Sequence, residues 1–152
     1  MDNLSPQNTS SQNISSLRAS GLLFTRALLG VIFLMQGFGK IFTFTVPVVY
    51  NKFFKEFETT FLPKWLIWAT AYYTSYIELI GGLFLILGVF RRWTLYLLAI
   101  DLLVVSFGHG LLEPIWDLSH VMPRTLLLLV LFFLPEEWDR YRLPTLFHYR
   151  LP

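Results

Sequence analysis

Cysteine is absent from the 152 residues. That removes every chemistry that needs the sulfur atom: no CxxC dithiol, no thiolate-ligated cluster and no covalent haem attachment can form. If the chain takes part in redox work, a bound cofactor or another subunit must carry the electrons. Charge is also scarce. Only 14% of residues are charged, against about 25% in an ordinary soluble domain, too few to clothe a soluble surface. The net charge is +2, and the basic residues are scattered along the chain. Without a run of about four to eight of them, neither nucleic-acid binding nor specific anionic-lipid binding follows from the sequence.

What the chain has in quantity is apolar surface. It is 55% hydrophobic and 18% aromatic, with a mean hydropathy of +0.55. Four long apolar stretches recur, and about 20 such residues suffice to cross the roughly 30 Å hydrocarbon core as a helix. The length fits one small domain. The expected fold is therefore all-α: an integral, multi-pass membrane four-helix bundle with an amphipathic interfacial segment between helices 1 and 2. Lipid is the first partner this implies, with no nucleic acid.

Residues 1–18, rich in Ser, Asn and Gln, read as a disordered polar tail, because such a segment buries too little to offset its ordering entropy. The tail does not read as a secretory signal, since its positive charge is a lone Arg18 behind a polar stretch. The transmembrane domain is expected over 19–138, with spans at about 20–41, 65–90, 93–112 and 121–138. Residues 42–63 are too charged to span yet strongly aromatic, which suits a segment lying in the interface. The fourth stretch is short. Val121–Leu134 reaches about 21 Å as a helix, so it must run on through Trp138 or cross a thinned bilayer. Pro123 suits the first turn of that helix, where its missing N–H costs nothing. Residues 139–152, mixing arginines with aromatics, read as a tail for the membrane surface or a partner.

Within the spans stand charges that a bilayer tolerates poorly: Arg26, Glu78 and Asp101, with Arg124 opening the last helix. Each costs about 2.5–3.5 kcal/mol near the bilayer centre and so normally faces the bundle interior. At 1.5 Å per residue, Arg26 lies about 9 Å deep and Asp101 about 12 Å from the same side, close enough to pair. Glu78, about 18 Å deep, needs Arg26 reaching up, a proton, or a hydroxyl donor. Gln36, Lys40, His109, Glu113, Asp117, His120 and Arg124 gather toward the opposite face as a polar mouth. The candidate intramembrane polar pocket is thus Arg26, Lys40, Glu78, Asp101, His109 and Arg124. Two readings of it stand open, packing and register on one side and a ligand or proton site on the other. His109, Glu113, Asp117 and His120 have metal-ligand chemistry, but Pro114 breaks their helical spacing, and no metal is expected. Six basic residues on the side of both termini face five on the other, a small excess that favours both termini in the cytoplasm.

Arg26, Gly30, Phe33, Gly37 and Lys40 fall on one stripe of the first helix, and Glu78-x2-Gly81-Gly82-x5-Gly88-x2-Arg91 follows in the second, with His109 near the end of the third. Over about residues 20–134 this pattern resembles the DoxX-like family of small four-helix membrane proteins. The fourth helix departs from it, with Met122-Pro123-Arg124 at its start and Leu134-Pro135-Glu136-Glu137 at its end. The resemblance implies the bacterial inner membrane, and some relatives, of DoxD type, are the membrane subunit of thiosulfate:quinone oxidoreductases. It therefore implies a membrane subunit of a redox assembly, with a quinone or lipid-like ligand in the polar pocket and no covalently bound cofactor. The alternative is a non-catalytic accessory subunit of a larger membrane complex, or a homo-oligomer. Whether the chain is itself an enzyme stays open. None of Arg26, Lys40, Glu78 or His109 carries an established catalytic role across the family.

Overall fold

The computed structural model describes residues 6–113 and 118–143. Helix α1 spans Pro6–Phe38 and continues through a wide π-helical turn, Gly39–Thr43. A short α2, Val46–Val49, leads into a π turn and a 3-10 turn that end at Thr59. Then come α3, Lys64–Leu87, α4, Arg91–Leu112, and α5, Met122–Phe133. Among the described residues there is no strand. Three segments, Gln12–Thr43, Lys64–Leu87 and Arg91–Leu112, are long and apolar enough to cross a bilayer, with mean hydropathies of 1.7, 1.3 and 1.9. The membrane-spanning helical bundle expected from the apolar stretches is what the chain forms.

The bundle is closed by small residues. A Cβ on Gly82 would fall 2.7 Å from both Gly30 O and Leu34 Cα, and one on Gly37 would fall 2.6 Å from Leu79 Cα. The backbones of α1 and α3 therefore touch, as small residues permit where lipid offers no hydrophobic force between helices. On either side of this seam α4 packs on α3 and α5 on α1, and α4 and α5 close the ring. Leu29, Phe33, Leu85, Leu95, Leu98, Leu102, Leu128 and Leu131 fill the centre. Large apolar groups such as Phe24, Met35, Leu83, Leu103 and Phe133 point outward, as they must where the solvent is hydrocarbon.

Three features differ from the sequence reading. Residues 6–18, expected as a disordered tail, continue α1. The hydroxyls of Ser15 and Ser16 turn back on the helix, to Gln12 O and Asn13 O at 2.9 Å each. Once a long apolar helix has met the nucleation cost, each added residue costs little. The segment after α1, expected as amphipathic and interfacial, folds into a cap. Val46, Val49 and Tyr50 are buried, and the Tyr50 ring stacks on Trp68 of α3 at 3.7 Å. The Tyr50 hydroxyl donates to Glu58 at 2.6 Å, and Lys64 holds the same carboxylate at 3.3 Å. Finally, α5 stops at Phe133 where the fourth span was drawn to 138, because Leu134 is extended and Pro135 follows. Residues 1–5 and 144–152, parts of the two expected tails, lie outside the described residues.

The turn between α3 and α4 is tight. Gly88 takes the left-handed conformation (φ 70°) that ends α3, with Val89 N–H bonded back to Phe84 O at 3.1 Å. Phe90 is also left-handed (φ 47°), an uncommon state for a residue with a side chain.

Candidate functional site

Two polar clusters occupy the bundle, one at each end of its apolar centre. The first is built on the α1–α3 seam. Because Gly37 rests on Leu79, the next turn of α1 brings Lys40 level with Glu78. Lys40 Nζ stands 2.6 Å from Glu78 Oε2 as an ion pair. From α5, Arg124 Nη1 lies 3.7 Å from Glu78 Oε1 and donates to Gln36 Oε1 at 2.5 Å. Its Nε donates to His120 O at 2.6 Å, which fixes the guanidinium plane. Glu78 is 1% exposed, whereas the Lys40 side chain is 24% exposed. The cluster is thus sealed on the carboxylate side and reachable on the ammonium side.

Beside it stands Asp101 of α4, fully buried, within electrostatic reach of Glu78, Lys40 and Arg124. Neither of its carboxyl oxygens has a hydrogen-bond partner. In native folds nearly all buried polar atoms are bonded, so a carboxyl left bare asks for a reason.

The second cluster lies at the end where the α3–α4 turn meets the start of the span in α1. Arg26, fully buried, donates to Tyr141 O at 3.1 Å and pairs with Asp139 Oδ2 at 3.5 Å. It occupies the space that a side chain at Gly88 would fill. Burial pushes the Asp139 carboxyl above the ordinary carboxylate range, opposed by Arg26, Arg91 and Arg142. Arg91 turns to α5 instead and donates from Nη2 to Leu131 O and Leu134 O, at 2.6 and 2.8 Å. It caps the carbonyls left open where α5 ends.

The expected pocket is thus divided. Lys40, Glu78 and Arg124 come together, with Asp101 next to them, while Arg26 belongs to the other end. Its expected pairing with Asp101 gives way to Asp139, because Asp101 is ten residues into α4, about 15 Å above the turn at which Arg26 points. Glu78 takes its partners from the group assigned to the polar mouth, and neither Arg26 nor a tyrosine hydroxyl reaches it. His109 is exposed near the end of α4, as are Glu113 and His120. Asp117 lies outside the described residues, and among those described no three His, Asp or Glu side chains converge. Asp139 is not among the candidates read from the sequence, where residues 139–152 read as a tail for the membrane surface or a partner. The available signal was an acid closely followed by two arginines just past a proline that stops α5.

Residues 21–110 of the chain match the family model described as DoxX. No curated protein and no solved structure matches the chain.

Proposed function

We propose, from the premise that this chain belongs to the DoxX family, that it is the membrane subunit of a redox assembly and offers a quinone head group the cluster around Glu78. The observation that carries the reading is Asp101, buried and bare beside a reachable ammonium. Buried carboxyl oxygens are nearly always bonded, and Asp101 has both of its own bare, which suits a partner of another kind. A quinone carbonyl accepts hydrogen bonds, and Lys40, Gln36 and Arg124 are donors of the right chemistry. Bound quinone supplies the electron-accepting ring. The chain's own contribution is to hold the carbonyl at Lys40, to keep Glu78 as the counter-charge that fixes both cations, and to let Asp101 take or release a proton within the cluster. The family setting and the excess of basic residues at the end shared by the termini support an inner-membrane location with both termini in the cytoplasm.

A second reading has its own observation. Both Glu78 oxygens already face a cation, as they would in an accessory subunit whose cluster only holds the helices in register. Titration of the purified chain with decylubiquinone, followed by quenching of its five tryptophans, separates the two. The redox reading expects saturable quenching that weakens about tenfold in Lys40→Gln, the loss of one charged hydrogen bond. Quenching that never saturates, or that ignores Lys40→Gln, leaves the accessory role.

A further inference from the structure

The strongest unassigned feature lies at the opposite end from Glu78. Two adjoining cavities of about 200 and 270 Å³ open beside the α3–α4 turn, and Arg91, Arg92 and Glu136 line both. Arg142 and Trp93 complete the first. The sequence scatters these arginines too widely for any basic run, yet the fold brings three guanidinium groups to one opening, with Glu136 in its lining and Asp139 within electrostatic reach of Arg91 and Arg142.

Three independent observations give the opening a preference for an anion. Arg91 is 7% exposed and anchored through Nη2 alone, while its Nε and Nη1 are buried without any hydrogen-bond partner. A buried guanidinium with two donors unmatched calls for acceptors, and phosphate oxygens are strong ones. The opening also faces the first turn of α4, a helix of 22 residues with no side-chain cap. Thr94 N–H is the first amide there to bond back, to Phe90 O, so the amides of Arg91, Arg92 and Trp93 have no partner within the helix, and such N-termini favour anions. Lastly, Phe90 and Trp93 are 66% and 70% exposed at the rim, where the headgroups of a bilayer lie and aromatic rings are at home.

We infer that this opening binds the phosphate of an anionic phospholipid headgroup, held by Arg91, Arg92 and the first turn of α4. The lipid chains lie along the apolar surface of α4 and α5, where Tyr96 and Phe132 pack together at 5.5 Å. This site is separate from the Glu78 cluster and stands whether or not a quinone binds there.

The test uses the full chain in mild detergent, with phosphatidylglycerol and phosphatidylcholine supplied in equal amounts and retained lipid counted by native mass spectrometry. The expected result is preferential retention of phosphatidylglycerol, reduced about fivefold in Arg92→Gln, as for loss of one basic residue at an anionic surface. Arg92 is exposed, so its replacement leaves the fold intact. Arg18→Gln removes the same charge at the same end, where Arg18 sits over the Trp138 ring at 4.8 Å, and should retain lipid as the parent chain does. Equal retention of the two lipids overturns the inference, and so does an Arg92→Gln variant with undiminished preference. Saturable binding of inorganic phosphate without any preference between the lipids would overturn the lipid as its source.

Discussion

Substituting Ala for Gly82 is the most direct test of the α1–α3 seam on which the Glu78 cluster depends. In an open helix position, Gly→Ala is favourable by about 0.5–1 kcal/mol, because alanine has less freedom to lose. At Gly82 the added methyl would lie 2.7 Å from Gly30 O and from Leu34 Cα, and it would also overlap Leu34 N. All three are backbone atoms and cannot swing aside, so the helices must part by roughly 1 Å to reach ordinary contact. Overpacking of this kind costs about 1–3 kcal/mol, which outweighs the helix gain. Gly21 is the control, since nothing lies within 4 Å of a methyl there. Thermal unfolding of the purified chain, read by intrinsic tryptophan fluorescence, should show Gly82→Ala melting below the parent and Gly21→Ala at or above it. Equal midpoints for the two variants would refute the close backbone contact and, with it, the placement of Lys40 beside Glu78.

Two further outcomes concern charge. Tyr50 has its hydroxyl pushed up to about 12 by burial and then by its bond to Glu58, so between about pH 10 and 12 the folded chain holds a proton that the unfolded chain has lost. Its contribution is therefore complete below pH 10 and disappears as pH rises toward 12; unfolding midpoints measured across that window should fall more steeply in the parent than in Tyr50→Phe, and parallel curves would contradict the buried contact. In the Glu78 cluster, Glu78→Gln leaves two cations facing each other without a counter-charge and should cost about 3–5 kcal/mol, with Lys40→Met added on top recovering part of the loss. Denaturant unfolding of the two single variants and the double one measures this, and strictly additive losses would mean that Lys40 and Glu78 do not interact.

The parts legible in the sequence were those whose cause is local. A run of some 20 apolar residues declares a spanning helix wherever it folds, and the small residues Gly30 and Gly37 of α1 and Gly82 of α3 stand where the two helices meet. Gly88 and Pro123 also stand where their backbone preferences put them, closing α3 and opening α5. The pairing of charges was not local. Depth counted from assumed helix ends set Arg26 beside Asp101, whereas α1 starts at Pro6 and the Arg26 side chain runs into the hollow above Gly88. Its partner, Asp139, arrives only because the chain turns back after Pro135, and no periodicity encodes that return. Lys40 and Arg124 were read as a mouth above Glu78, and the π turn and the half-length α5 bring them down to it.

The brevity of α5 has a consequence for how the bundle holds together. Twelve residues rise only about 18 Å, too little for a segment to settle across a bilayer unaided. Its two ends are held by groups synthesised before it: Arg124 closes on Glu78 and Gln36, and the Leu131 and Leu134 carbonyls are taken by Arg91. The seat of α5 is thus built from groups on the other three helices, and its place in the bundle depends on theirs.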